Sequence, residues 1–389
     1  MNQYWKIIKI VSNIQIKIIK ILPLFFLIFN PIQSQLFVTA NPGDVKYFER
    51  KMFNHNINFF SMSFIRPFFY DDKSTFQIKI TNENYFNSGA PNQENMDVRY
   101  FGKGLGNFIS YRATYKNKLF AYVFEPYMLS GQNKNSKDIN RPELFSVLND
   151  YRIIKKKDFT VSGLRQAAFF IHLNGFGLGY GKLNSWWGDG QHTSIAMSNN
   201  THPFKAYHFG TIKELKWKNI GINTRYTFSK LNNYNDHRAV FYTALTFGLT
   251  YYSNQIISVG FSRNYLSGGI NVGVPWKAND AAMLVFEGLF VENKDKLIYT
   301  VNGHDPFDQT IEGYFSMIFP NEKMKLFLEV AINDHRQNMV DLISQPDHAM
   351  ATIIGLRKYG MFGKKNLYFG FEYLNLAKGK SKFRSRKSV

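Results

Sequence analysis

Beyond residue 40 the apolar residues of this chain recur at every second position, and no window carries a sustained 3.6-residue period. Phe76, Ile78 and Ile80 alternate with Gln77 and Lys79, and Tyr111, Ala113 and Tyr115 with Arg112 and Thr114. Ile257, Val259 and Phe261 alternate with Ser258 and Gly260, and Met324, Leu326 and Leu328 lie opposite Lys325, Phe327 and Glu329. A period of two puts one class of side chain on each face of a strand. Turn-forming runs at Lys116-Asn117-Lys118, Pro320-Asn321-Glu322 and Lys364-Lys365-Asn366 predict hairpins between antiparallel neighbours. Other connections are longer and polar: 130–140, 231–238 and 302–309. Short turns at one end and long loops at the other is the organisation of an outer-membrane barrel.

The remaining numbers agree. Aromatics make up 17% of the 389 residues, which argues against disorder. Mean hydropathy is −0.28, too low for several apolar helices of membrane-spanning length. No cysteine is present, which excludes a disulfide scaffold, a thiolate metal site and a cysteine nucleophile. A propeller would repeat about every 40 residues, and no such repeat is visible. At roughly 20 residues per strand with its connection, the chain predicts an all-β fold: an antiparallel transmembrane barrel of about 14–18 strands. Tyr122 with Tyr127, Tyr251 with Tyr252, and Tyr368 with Tyr373 are candidates for aromatic girdles at the two membrane interfaces. Gly175, Gly177 and Gly179 alternate with Phe176, Leu178 and Tyr180, leaving one face of that strand bare for a close approach or a tight curve.

Three segments are expected. Residues 1–34 read as a secretory signal: Lys6, Lys9, Lys17 and Lys20 precede an apolar run from Ile21 to Phe29, which is too short to span a membrane. Cleavage fits near Ser34 or Gln35, with Val38-Thr39-Ala40 as a second small-residue site. The barrel is assigned to 35–377 and a basic tail to 378–389. The formal charge of +20 falls to +16 once the four signal lysines are removed, leaving 44 basic against 28 acidic side chains. A basic surface suits anionic lipid headgroups or an acidic polysaccharide, and an exported protein is not expected to meet nucleic acid.

One segment breaks the alternation. Asn184-Ser185-Trp186-Trp187-Gly188-Asp189-Gly190-Gln191-His192-Thr193-Ser194 leads into Ile195-Ala196-Met197-Ser198-Asn199-Asn200-Thr201-His202-Pro203-Phe204. Gly188 and Gly190 permit unusual backbone or close contact, and Asn199-Asn200 favours side-chain turns. Trp beside amides and a carboxylate also suits carbohydrate, whose flat faces stack on rings and whose hydroxyls pair with polar side chains. A loop packed into a barrel lumen uses the same residue types.

This segment resembles the signature of the Wzi capsule-assembly family, approximately WWGPG followed by S-x-x-x-SNN-x-x-P. Trp186, Trp187, Gly188, Gly190, Ser194, Ser198, Asn199, Asn200 and Pro203 match, and Asp189 stands where Pro is common. Weaker resemblances lie at Ser63 to Pro67, at Phe327-Leu328-Glu329 with Asn333-Asp334-His335, and at Gln345 to His348 leading to Gly355-Leu356-Arg357-Lys358. The resemblance implies a monomeric outer-membrane barrel, embedded among lipids and lipopolysaccharide. It would attach or organise capsular or exopolysaccharide in a lectin-like role, without cofactor or metal and without covalent chemistry. Two departures stand out. The N-terminal helical plug of some relatives has little room, since strand-like sequence starts near Phe53, and the final strands are short of the family pattern. On that reading the barrel is truncated at its C-terminus or closes differently.

Catalysis finds little support. Asp334-His335, Asp347-His348 and His304-Asp305 lack the spacing of metal or hydrolase motifs, and neighbours on a strand face opposite ways. Ser194 near His192 lacks a nucleophile elbow and an identifiable orienting acid. The expected function is therefore a polysaccharide-binding assembly barrel, with a porin or solute transporter as the alternative.

Overall fold

A computed structural model describes residues 37–54, 64–70, 75–89, 91–93, 95–134, 157–233, 238–269, 276–286, 307–333 and 350–376. The expected signal segment, the basic tail and all three His–Asp pairs lie outside these residues. Three short strands come first: β1 (Phe37–Val38), β2 (Ile65–Arg66) and β3 (Phe68–Phe69). Long strands follow as β4 (Thr75–Asn87), β5 (Gly104–Lys116), β6 (Phe120–Gly131), β7 (Phe159–Leu173) and β8 (Phe176–Leu183). The two-residue β9 (Trp186–Trp187) precedes β10 (Phe204–Thr211), β11 (Leu215–Trp217), β12 (Ile220–Lys230), β13 (Val240–Tyr252) and β14 (Ile256–Gly268). The last four are β15 (Phe307–Phe319), β16 (Met324–Asn333), β17 (Met350–Tyr359) and β18 (Tyr368–Leu376).

All except β1, β2, β3 and β9 join one 14-stranded antiparallel sheet running in chain order from β4 to β18. Connections at 117–119, 174–175, 253–255 and 320–323 are short and lie at one end. In the first of them the Asn117 side-chain oxygen accepts from the backbone N–H groups of Leu119 (2.8 Å) and Phe120 (2.7 Å), an Asx turn. The predicted 302–309 connection ends sooner than expected, because Phe307, Asp308 and Gln309 already pair along β14.

The sheet is inverted relative to a soluble protein. Ile80 is 54% and Leu178 63% exposed on one face, whereas Glu312, Glu329 and Arg357 are 0% exposed on the other. Water would penalise that outer face, and lipid does not. The three tyrosine pairs divide between the faces. Tyr122, Tyr251 and Tyr373 point outward, while Tyr127 packs on buried Phe108 and Tyr252 and Tyr368 donate to Glu214 and Gln191 inside. Partners one or five residues apart on a strand take opposite faces, so the girdles draw on only half of the expected residues.

The inner face is covered by chain. β1 pairs with β3, and β2 pairs with β9. Val38-Thr39-Ala40, the second cleavage position considered above, is fully buried in this inner layer. The bare strand face holds for Gly177 and Gly179, where a Cβ on Gly179 would overlap the Phe170 ring, which packs with Phe37 and Phe69 of the inner layer, whereas Gly175 lies in the turn before β8 at φ 97°.

A helix, α1 (Pro42–Phe53), occupies the space that the sequence reading left no room for. Asn41 caps it by accepting from Gly43 N–H at 2.8 Å, Pro42 opens it, Asp44 lies in its first turn, and Arg50 and Lys51 in its last. Its apolar stripe was hard to see because its buried side is half ionic: Val45, Phe48 and Met52 are buried beside Asp44 and Glu49. A second, shorter helix, α2 (Ala278–Met283), covers β13, with Thr243 and Tyr226 donating to its carbonyls at 2.8 and 2.9 Å.

The sheet edges β4 and β18 do not pair with one another among the described residues. Instead α1 reaches both sides. Asp44 binds Lys79 on β4 and Arg112 on β5 (2.9 Å), and Glu49 binds Arg357 (2.8 Å) and the Tyr359 hydroxyl (2.8 Å) on β17. Burial alone would raise the Asp44 carboxyl, but Arg112 and Lys79 outweigh it and hold the group down at about 2. A carboxyl lowered from 3.8 to about 2 supplies stability above pH 4 that is lost as pH falls through 2. That loss should amount to about 2.5 kcal/mol, by 1.36 kcal/mol per pKa unit. The measurement is the urea unfolding midpoint in detergent between pH 5 and 2. Asp44→Asn should lower stability at pH 5 and flatten its decline toward pH 2.

Candidate functional site

The segment from Asn184 to Pro203 leaves the long-loop end of β8 and descends along the inner face before β10 begins. Trp186 and Trp187 form β9 against Arg66 and Ile65, and Trp187 bridges to Met197. Gly188 N–H donates to the Phe64 carbonyl at 2.8 Å. The Arg66 guanidinium lies 4.9 Å from the Trp186 ring and donates to the carbonyls of Gly188 and Gly190, each at 2.8 Å. Burial pulls that guanidinium down to about 10, opposed first by Asp189, so it remains a cation at neutral pH.

The turn at Gly188-Asp189-Gly190 is clamped by the wall. Glu329 on β16 accepts from the N–H groups of Asp189 (2.5 Å) and Gly190 (2.9 Å). Arg357 on β17 donates to the Asp189 carbonyl at 2.7 Å, and the Asp189 carboxylate pairs with Lys325. Glu49 of α1 shares both cations, at 3.7 Å from Lys325 and 2.8 Å from Arg357. Glu372 on β18 accepts from the N–H groups of Gln191 (2.8 Å) and His192 (3.1 Å). Isolated, any of these buried ions would be costly; Asp189, Lys325, Glu49 and Arg357 alternate in sign, and with the hydrogen bonds that Glu329 accepts they fix one position of the turn.

The second half is fastened near the long-loop end. Ser194 donates its hydroxyl to the Trp187 carbonyl. The Asn199 side-chain oxygen accepts from Asn184 (2.9 Å), and the Asn199 carbonyl accepts from Asp97 N–H (2.7 Å). Asp97 in turn pairs with Arg165 (2.7 Å) and Arg99 (3.0 Å), and Arg165 with Glu125 (2.8 Å). Ser198 accepts from Asn200 N–H at 3.3 Å, and Pro203 is buried before β10.

The motif residues are thus brought together, and most are buried. Trp186 is 1% and Trp187 0% exposed, so neither offers an open ring face for a sugar; they serve as posts inside the lumen. Asp189, Ser194, Ser198 and Asn199 are buried as well. The exposed members are His192, Asn200, Thr201 and His202. They meet residues the sequence reading passed over. Asn95 donates its N–H to the Asn200 side-chain oxygen at 2.5 Å and its amide to the His192 carbonyl, and Gln93 meets His202 at 2.7 Å. This polar rim crowns the inner layer at the long-loop end.

The weak sequence resemblances converge on the strong one. Phe64 to Arg66, Phe327 to Glu329, and Gly355 to Arg357 lie far apart in the chain, yet each touches the motif or its clamp. Gly355 has a direct reason: a Cβ there would overlap the Phe327 ring, on whose face Arg357 rests at 4.6 Å. Glu49, Asp97, Lys325 and Glu372 were missed. For Lys325 and Glu329 the signal was present, since both are charges at the inward positions of an alternating strand.

The family model described as capsule assembly protein Wzi matches residues 88–383. Among solved structures, one similar protein is Wzi, an outer-membrane protein involved in group 1 capsule assembly in Escherichia coli, described as a carbohydrate-binding β-barrel. Identity is 12% and the TM-score 0.43, covering 75% of this chain and 54% of that one. The chain therefore spans about half the length of that protein. Salmonella typhi OmpF in complex with daunomycin matches at 11% identity and TM-score 0.33, covering 80% and 93% of the two chains. Vibrio cholerae OmpT matches at 11% identity and TM-score 0.30, covering 78% and 90%. No curated protein matches.

A Cβ on Gly190 would overlap the Thr193 carbonyl oxygen, and one on Gly188 (φ 132°) would lie 2.6 Å from the Glu329 carboxylate. Gly190→Ala is expected to lift the turn from its clamp at a cost of about 2–4 kcal/mol. The check is tryptophan emission, which should move to longer wavelength as Trp186 and Trp187 meet water, together with a lower unfolding midpoint. Gly269→Ala, whose nearest neighbour would be 3.8 Å from the new Cβ, tests only backbone strain and should leave emission unchanged.

Proposed function

This chain belongs to the Wzi capsule-assembly family, and from that premise we propose that it is an outer-membrane barrel protein that holds surface polysaccharide at the cell by non-covalent contact. The observation that carries this reading is the division of the motif into buried posts and an exposed polar rim. Arg66, Glu329 and Arg357 hold the turn that follows the posts, and half-buried Asn95 with exposed Asn200, His192 and His202 forms the rim at the long-loop end. Long loops of such barrels face the cell exterior, where capsular or exopolysaccharide lies. Preset amides and imidazoles suit sugar hydroxyls, because little side-chain freedom remains to be lost on contact.

Two alternatives are less well supported. A porin needs an open, charge-lined passage, whereas here α1 and the segment from Asn184 to Pro203 pack against the inner face. An esterase needs a free nucleophile, whereas the Ser194 hydroxyl is engaged by the Trp187 carbonyl. Surface polysaccharide is the proposed partner and the monomer the proposed state, with lipid and lipopolysaccharide around the wall.

The test compares cell-attached with shed polymer after gene deletion and complementation. Wild-type protein should restore attachment. Asn95→Ala with Asn200→Ala removes contacts worth about 1 kcal/mol each and should weaken retention about thirtyfold. Polymer that stays attached in the deletion strain, alongside altered solute uptake and large steady liposome conductance, would establish the transporter instead.

A further inference from the structure

The inner layer leaves a cavity of about 610 Å³ beside α1, at the short-turn end, bordered by β4 on one side and β18 on the other. This is a common size for a small-ligand site. Its charge is one-sided: Lys46, Arg50, Lys79 and Arg112 line it, against the single carboxylate of Asp44. Lys79 and Arg112 are both committed to Asp44. Lys46 and Arg50 have no carboxylate partner among the described residues. Lys46 lies 5.0 Å from the Tyr368 ring, and Arg50 lies 5.8 Å from the ring of Tyr47. With Lys79 and Arg112 answered by Asp44, Lys46 and Arg50 leave this space with a net positive charge that an entering anion would answer.

The lining narrows the class of anion. Tyr47 and Tyr368 offer rings, and Gln77 and Asn366 offer amides. Rings stack on the apolar face of a pyranose, amides pair with hydroxyls, and guanidinium and ammonium groups pair with an acid. A neutral sugar would leave the cations unanswered, and an acyl chain would desolvate them. We propose that this cavity binds an acidic saccharide unit, one bearing a carboxylate or phosphate, which enters from the short-turn end. In barrels of this organisation that end faces the periplasm. The proposal rests on the polysaccharide reading above and adds a second contact point, distinct from the rim at the opposite end. One chemistry has two sources here: an acidic unit of the polymer, or the phosphorylated sugar of lipid A.

The full chain in detergent micelles is titrated at low salt with a glucuronic acid trisaccharide, a glucose trisaccharide and lipid A micelles. The acidic trisaccharide should bind at least tenfold more tightly than the neutral one and weaken as salt rises. The double variant Lys46→Ala, Arg50→Ala should lose at least tenfold, and Lys46→Arg with Arg50→Lys should retain binding. Heat-modifiable mobility on gels confirms that each variant is folded. If the double variant binds the acidic trisaccharide as wild type does, the cavity is not the site, while the polysaccharide reading stands. If wild type binds neither trisaccharide, the proposal fails, and the cell-attachment test decides the parent reading separately. If only lipid A binding depends on Lys46 and Arg50, the ligand is the lipid headgroup and the polymer assignment falls.

Discussion

The interaction on which the rest depends is the ion cluster where Asp189 and Glu49 share Lys325 and Arg357. It exists because the sheet is inverted. Lipid-facing apolar residues leave charged residues on the inner face, and a charge buried without a partner is not tolerated. The wall alone cannot satisfy them, since antiparallel neighbours place side chains in fixed registers. A loop from the middle of the chain and a helix from its beginning supply the counter-charges. One cluster thereby joins four parts of the sequence, and the motif's backbone geometry follows from where Glu329 and Arg357 stand. Such a cluster holds the turn in one position.

Much of the fold was legible because strand periodicity is a local signal. The alternation in β4, β5, β14 and β16, and the turns at Asn117, Asn321 and Lys365, all follow from neighbouring residues. The helix α1 was not legible as such, although Asn41-Pro42 and Asp44 are ordinary helix-start signals. Its buried side carries Asp44 and Glu49, and amphipathic reasoning assumes that buried means apolar. That assumption holds against an apolar core and fails against a polar wall. The tyrosine pairs failed for a simpler reason, an odd spacing that sends partners to opposite faces.

The candidate site was half legible. The residue types of the motif announced either a sugar platform or a packed loop, and the structure shows a mostly buried segment with an exposed polar margin. Trp186 and Trp187 are too enclosed to meet a ligand, whereas Asn200 and His202 are open. What the sequence could not display was the convergence of distant fragments: Arg66, Glu329 and Arg357 acquire meaning only when their strands are placed around Gly188 and Gly190. The two ends of the lumen also differ in character, with amides and imidazoles at one and, at the other, Lys46 and Arg50 beside the Asp44 ion pairs.

The contacts of α1 with both ends of the sheet have a bearing on how the chain assembles. Strand pairing can zip up by nearest neighbours, each hairpin adding to the last. The helix obeys another rule: its ionic partners lie on β4 and β5 at one extreme and on β17 at the other, more than 300 residues away for the Glu49–Arg357 contact. That contact can form only when the sheet has curled far enough to bring its first and last strands to the same helix. Curvature and the docking of α1 are therefore coupled, because the helix ties the first strands of the sheet to its last ones.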